Sequence, residues 1–222
     1  MTLSVIIPTI NEEVYIRSSL KSVRKLNPLE IIVVDGGSTD GTVKAAEGEG
    51  ARVISSPRGR GIQLMRGASA ARGDILLFLH ADARLSGAVD ISQYLKQGYI
   101  GGFFRLRFDE ETFSIRLVEI FANLRARLFC LPYGDQAIFV RRDVFDRIGG
   151  FKNYPFLEDI DFILRLKREG KLAEVPVSVT VSSRRLKKGL PFSPVLVSLR
   201  NVLIACAFLA GISPFKLIKF YK

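Results

Sequence analysis

Three polar groups stand directly after apolar runs, and each carries carboxylates suited to different chemistry. Asp35 closes Glu30-Ile31-Ile32-Val33-Val34 and precedes Gly36-Gly37-Ser38-Thr39-Asp40-Gly41. A carboxylate at a strand end can accept hydrogen bonds from a base or a ribose. The alternative is an Asx-turn or a helix cap, for which Ser38, Thr39 and Asp40 are also suited. Asp40 is read as a cap and Asp35 as a ligand contact. His80-Ala81-Asp82 closes Asp74-Ile75-Leu76-Leu77-Phe78-Leu79. A divalent cation carrying a pyrophosphate takes oxygen ligands, often only one or two of them protein carboxylates, and Asp82 fits that role. His80 is either a structural hydrogen-bonding residue or a second ligand. Leu157-Glu158-Asp159-Ile160-Asp161 sets three carboxylates at a helix start. There they complement the helix dipole or supply a general base for an acceptor hydroxyl. Pro57-Arg58-Gly59-Arg60-Gly61 offers the Arg60 guanidinium just ahead of a helix, where phosphate oxygens are favoured.

The elements that position these groups follow from periodicity. Leu3 to Pro8, Glu30 to Asp35, Arg52 to Ser55 and Asp74 to Leu79 read as strands, most of them buried on two faces. Between them, Glu12 to Leu26 carries Val14, Ile16, Leu20, Val23 and Leu26 near helical spacing, and helices are also expected over 39–46 and 61–71. This alternation predicts one α/β domain with a mostly parallel sheet flanked by helices, and ligands bind such sheets outside the carboxyl ends of the strands. Downstream, strands are expected over 102–108, 136–141 and 175–181, and helices over 112–131, 143–148 and 158–169. No GxGxxG follows the first strand and no P-loop is present, which argues against a dinucleotide oxidoreductase and a P-loop NTPase.

Composition narrows the setting. The 222 residues are 48% hydrophobic with a net charge of +11, enough for one substantial core. Cys130 and Cys206 show no metal-type spacing and read as buried thiols in a reducing compartment. The N-terminus has no signal-like leader, so a cytoplasmic protein is expected. From Val175 to Lys222 there are eight Lys/Arg and no Asp or Glu. These cations flank an apolar tail instead of lining a basic helix with interleaved aromatics, which disfavours nucleic acid. The uninterrupted apolar stretch of 15 residues from Asn201 to Phe215 falls short of the roughly 20 a membrane span needs. The tail therefore reads as a helix lying on an anionic membrane surface, peripheral on the inner face of the cell membrane. Packing into the core or a homodimer interface is the equal alternative, because Leu196, Leu199, Leu203 and Ala207 form a stripe a soluble partner could cover. The expected division is 1–188 for the domain and 189–222 for this basic, apolar helical extension.

Taken together, Val5 to Glu13, Ile32 to Thr42 and Asp74 to Asp82 resemble, in order and spacing, the family-2 glycosyltransferases of the GT-A fold. Gly134-Asp135-Gln136 and Leu157-Glu158-Asp159 extend the likeness. With His80-Ala81-Asp82, Asp35-Gly36-Gly37-Ser38, Ser183-Arg184-Arg185 and Gly211-Ile212-Ser213-Pro214, the chain looks closest to the short bacterial subgroup associated with radical-SAM and selenium-domain proteins. The resemblance implies inverting transfer from a nucleoside-diphosphate sugar to a lipid, small-molecule or protein hydroxyl, with Mg or Mn at the diphosphate. By position it implies that Pro8, Thr9, Glu12 and Asp35 line the nucleoside pocket, that Ala81 and Asp82 approach ribose, diphosphate and metal, and that Asp159 is the base. The departures from DxD and DDGS remove two carboxylates from the donor site. A non-catalytic nucleotide-sugar-binding or membrane-docking protein on the same fold is the alternative.

Overall fold

The computed structural model describes residues 1–186 and 193–221. Lys187, Lys188 and the expected boundary between 188 and 189 lie outside the described residues. One mixed sheet organises the chain, with helices on both faces. Its strands are β1 (Leu3–Thr9), β2 (Glu30–Asp35), β3 (Arg52–Ser55), β4 (Ile75–Phe78), β5 (Arg84–Leu85), β6 (Gly101–Phe108), β7 (Ile138–Arg141) and β8 (Leu172–Val181). The helices are α1 (Glu13–Val23), α2 (Thr42–Gly48), α3 (Arg60–Ala70), α4 (Ser92–Lys96), α5 (Phe113–Phe129), α6 (Arg142–Arg147), α7 (Glu158–Glu169), α8 (Ser193–Leu209) and α9 (Pro214–Tyr221).

The strand order is β3-β2-β1-β4-β7-β6-β8-β5. The first four strands are parallel, whereas β7 runs antiparallel to both β4 and β6. The parallel expectation thus describes the half that carries the three predicted motif strands, and the other half mixes directions. From β1 the chain builds outward through β2 and β3, then crosses to the other side of β1 for β4. This reversal leaves a crevice at the carboxyl ends of β1 and β4, where Pro8, Thr9 and the residues after Phe78 emerge.

Alternation along β1 explains why these strands read as continuous apolar runs. Val5 and Ile7 join Ile16, Leu20 and Val23 of α1 on one face, while Ile6 joins Leu64 and Ala68 of α3 on the other. Both layers are buried, so the strands need no polar face. Val14, read as part of the buried stripe of α1, is instead 82% exposed. α2 begins three residues later than expected, because the Asp40 carboxylate accepts from the backbone N–H and hydroxyl of Thr42 and from the Glu13 N–H. The short β5 and α4 had no periodic signal. Cys130 is half-buried and Cys206 exposed, correcting the reading of both as buried thiols.

The C-terminal helices are not detached. Ile204, Ala205 and Leu217 enter the same core as α3 and α7, and Tyr154 meets Phe208 and Phe215 edge-on at 6.3 and 6.1 Å. The stripe expected to seek cover stays open, with Leu196, Leu199 and Leu203 each exposed. No described helix is long and apolar enough to cross a membrane.

The seating of α3 on β1 and β2 depends on Gly67. A Cβ at that position would lie 2.4 Å from Ile6 Cγ2 and 2.9 Å from Val34 Cγ2. Overpacking of this kind costs roughly 1–3 kcal/mol, against the ~1 kcal/mol that Ala gains over Gly inside a helix. Gly67→Ala is therefore expected to lower the melting temperature by a few degrees in thermal denaturation; an unchanged or higher value would show that the layers can separate freely.

Candidate active site

At the crevice, Pro8, Thr9, Glu12, Arg60, Ala81 and Asp82 line one cleft of about 270 Å³. An adjoining hollow of about 200 Å³ contains Tyr133, Asp135 and Asp159, and the two share Arg60, His80, Asp82 and Tyr221 as walls. A larger depression of about 730 Å³ lies at the opposite end of β1, around Leu3, Leu26 and Ile91. It is remote from the strand ends where such sheets place their ligands, so the two smaller spaces are the chemical site.

The cleft begins where the backbone ladder ends. Gln63 of α3 donates its side-chain N–H groups to Thr9 O at 2.9 Å and Val34 O at 2.8 Å, holding the ends of β1 and β2 together. The Thr9 hydroxyl is buried and has no hydrogen-bond partner among the described residues. A buried hydroxyl of that kind is costly unless something completes it, which suits a ligand-contacting position.

Asp35 does not line the cleft. Its carboxylate accepts from Gly37 N at 3.0 Å, from Ser38 N at 3.0 Å and from the Ser38 hydroxyl at 2.5 Å. The Asx-turn alternative describes this geometry, and the carboxylate shapes the loop beside the cleft. Asn11 ties that loop to β1, accepting from Thr39 N at 2.8 Å and donating its own N–H to the Ser38 hydroxyl at 2.9 Å.

Two arginines balance the charge of the site. Arg184, in the short turn of 3-10 helix at Ser183–Arg185, donates to both Glu12 oxygens at 2.5 and 2.6 Å and reaches Asp82 Oδ2 at 3.3 Å. It also lies 4.6 Å above the Tyr15 ring. Burial disfavours its charge, but Glu12 and Asp82 prevail and hold the guanidinium above its ordinary pKa. Arg60 pairs through Nε with Glu158 and stands 3.4 Å from His80 Nε2 through NH1. It faces the cleft as expected, but already paired. Burial again opposes its charge and is outweighed by Glu158 and Asp159.

The three carboxylates at the start of α7 separate into distinct roles. Glu158 pairs with Arg60, and Asp161 pairs with Arg165 at 2.6 Å and Lys152 at 3.1 Å. Asp159 instead accepts from two backbone groups, Gly134 N at 2.7 Å and Ile160 N at 2.9 Å. Its position is rigid because Phe162, one turn on, stacks on Phe151 at 4.3 Å within a cluster that includes Phe78 and Phe145. Leu157 turns the chain into α7 with φ of 64°, a left-handed conformation unusual for a bulky residue. Gly134 makes the junction possible: a Cβ there would lie 3.1 Å from His80 Nε2 and 3.2 Å from Asp159 Oδ2.

Several residues found here are weakly marked in the sequence. Asp135-Gln136 reads equally as a border of the acceptor site or as a strand-initiating turn; in the structure Asp135 Oδ1 is buried without a partner among the described residues. Burial raises its carboxyl pKa to about 6, opposed by Arg125 and Arg60 and reinforced by Asp159 and Asp82. Arg184 was noted only as part of a resemblance. Tyr221 stacks on Phe156 at 4.8 Å, and Arg200 lies 5.5 Å from its ring. The sequence marks this C-terminal wall only by Arg200, a single charge between the largely apolar residues 194–199 and 202–212.

Comparison with known proteins agrees with this architecture. Residues 4–149 match the family described as Glycosyl transferase family 2. A PGL/p-HBAD biosynthesis glycosyltransferase of Mycobacterium bovis (strain BCG / Pasteur 1173P2) is 31% identical over 197 residues, covering 81% of this chain and 75% of the relative. Glucosyl-3-phosphoglycerate synthase of Mycobacterium tuberculosis (strain CDC 1551 / Oshkosh) is 38% identical over 96 residues. That match covers 36% of this chain and only 29% of the synthase. A crystal structure of the Mycobacterium tuberculosis synthase in complex with Mn2+, UDP and glucosyl-3-phosphoglycerate superposes with a TM-score of 0.63 at 24% identity, over 95% of this chain and 80% of that one. The fold is shared, and the chain belongs to glycosyl transferase family 2.

Proposed function

We propose that the chain is an inverting glycosyltransferase that moves a sugar from a nucleoside-diphosphate sugar to an acceptor hydroxyl. The observation that carries this reading is the shared Asp82 wall between a cleft holding Pro8, Thr9 and Glu12 and a hollow holding Asp159. The nucleoside belongs at the Pro8-Thr9-Glu12 end, where the Thr9 hydroxyl offers an unused hydrogen bond. Asp35 contributes by fixing the adjacent loop.

Among the described residues no group of three His, Cys, Asp or Glu side chains forms a ready metal cage. A single hard carboxylate at the cleft wall suits an ion whose other ligands come from a diphosphate and water, so Asp82 is the residue to hold Mg or Mn. When bound, the ion offsets the negative charge that collects on the leaving diphosphate. Solved relatives with Mn2+ and UDP-glucose support trying that pair first. Asp159 takes the proton of the acceptor hydroxyl as its oxygen bonds to the anomeric carbon. The bond from that carbon to the diphosphate breaks, its electron pair leaving with the nucleoside diphosphate. One in-line displacement inverts the centre.

Finer parts of the reading rest on narrower support. Membership of the short radical-SAM and selenium-domain-associated subgroup rests on the HAD, DGGS and SRR sequences. The acceptor is a lipid, small-molecule or protein hydroxyl. Cytoplasmic placement with peripheral attachment to an anionic membrane rests on the basic, apolar C-terminal helices, with a homodimer through the same helices as its rival.

Isothermal titration of UDP-, GDP- and dTDP-sugars with and without Mn2+ or Mg2+ tests the donor site. Metal-dependent binding to one donor class is expected, with Asp82→Ala removing the metal dependence. Asp159→Asn is expected to lower transfer by about 10²–10⁴-fold while leaving donor affinity intact. Binding without any turnover in the native chain, across acceptor classes, would instead identify a non-catalytic nucleotide-sugar binder.

Asp135 gives the site a pH signature. Between its ordinary 3.8 and about 6, the folded state holds this proton more tightly than the unfolded state. The group's stabilising contribution is present below that window and is lost as pH rises through it. Asp135→Asn should therefore raise the melting temperature near neutral pH, with the gain shrinking toward pH ~4. A gain independent of pH would assign the effect to packing.

A further inference from the structure

Three neighbouring helices keep an apolar surface uncovered after the fold and the site are complete. On α5, Ile115, Val118, Ala122 and Ala126 are buried, while Phe113, Ile120, Phe121, Leu124 and Leu128 are 45–84% exposed. The exposed set recurs at three- and four-residue spacing, forming a second stripe on the side of the helix away from the core. α8 repeats the arrangement: Ile204 and Ala205 are buried, whereas Leu196, Leu199 and Leu203 are 55–70% exposed. α8 packs against α5 on one side and α9 on the other, and α9 adds exposed Phe215 and Phe220. Exposed apolar residues gathered on helices that pack against one another are the mark of a surface that meets an apolar partner.

Charge selects the occupant. α8 and α9 carry no Asp or Glu, and Lys216 and Lys219 stand exposed on α9 beside Phe215 and Phe220. On α5, Arg116 is paired with Glu111 at 3.0 Å, Arg127 lies 3.7 Å from Glu174, Arg125 donates to Leu131 O and Gln136, and Glu119 accepts from Phe108 N, whereas no ion pair among the described residues engages Lys216 or Lys219 of α9. In a two-fold dimer that sets α8 and α9 against their own copies, each brings these lysines without an acidic partner on either helix. An anionic surface gives Lys216 and Lys219 the opposite charge. No described helix can span a bilayer, which leaves an in-plane seat at the headgroup boundary.

We propose that the α5–α8–α9 face docks on an anionic lipid surface, with the stripes of α5 and α8 at the acyl boundary and Lys216 and Lys219 among the headgroups. This rests on the peripheral-membrane part of the function proposed above and makes it specific by adding α5, which the sequence gave no reason to include. Val197 and Asn201 of α8 also wall the hollow that contains Asp159, so a docked molecule holds that side of its site close to the lipid surface.

Flotation of the full chain with phosphatidylcholine vesicles, with and without phosphatidylglycerol, tests the face. Co-flotation is expected only with the anionic vesicles and should weaken with salt. Lys216→Gln with Lys219→Gln should lower partitioning by about 25-fold, and Phe121→Ser with Leu203→Ser should abolish it, both variants melting as the native chain does. The proposal is overturned by no flotation, by equal flotation on neutral vesicles, or by variants that float unchanged. It is also overturned if the native chain sediments as a dimer that Phe121→Ser with Leu203→Ser makes monomeric. A donor titration on the same preparation reads the glycosyl-transfer proposal separately, since flotation needs no donor.

Discussion

Five carboxylates converge on the open end of a sheet whose two core layers are apolar, and their mutual repulsion is the constraint the site has to meet. Glu12 and Asp82 come from the β1 and β4 ends, Glu158 and Asp159 from the start of α7, and Asp135 from the turn before β7. Arg184 draws the first pair together and Arg60 neutralises Glu158. Asp159 is stabilised by backbone N–H groups. For Asp135, burial outweighs the pull of Arg125 and Arg60, and its carboxyl retains a proton to a higher pH. The dense framework of Gln63, the Phe cluster and the Asp161–Arg165 pair holds these groups in place against that repulsion.

This arrangement gives the site cations of its own. Asp82 is already partnered by the Arg184 guanidinium, so the carboxylate proposed to hold the ion does not stand in a region of unopposed negative charge. Arg184 itself stands beside the cleft, where phosphate oxygens are natural partners of a guanidinium.

The parallel half of the fold was legible because burial on both faces writes itself into the chain as uninterrupted apolar runs. Those runs placed β1, β2 and β4 and, at their ends, Pro8, Ala81 and Asp82, while Thr9 and Glu12 followed from the family resemblance alone. Asp35 was harder: a strand-end carboxylate followed by Gly-Gly-Ser satisfies a ligand role and an Asx-turn equally, and only the direction of its oxygens separates them. Arg184 and Tyr221 reach the cleft from segments far along the chain, a proximity that tertiary packing alone creates. In the tail, the apolar pattern was visible but its division was not. The buried side of α8 is Ile204 and Ala205, and Leu196, Leu199 and Leu203 of the stripe that a partner could cover face outward.

Gly134 has no side chain with which to bind or react, yet the space it leaves is occupied from two sides by His80 and Asp159. It acts as a spacer of zero length between the loop after β4 and the first turn of α7. Residues bearing functional groups set what chemistry is available here; this one sets how near those groups can stand. Enlarging it would leave every reactive atom present and ask His80 and Asp159 to give way by a few tenths of an ångström, so a residue without chemistry of its own bears on the spacing of two that have it.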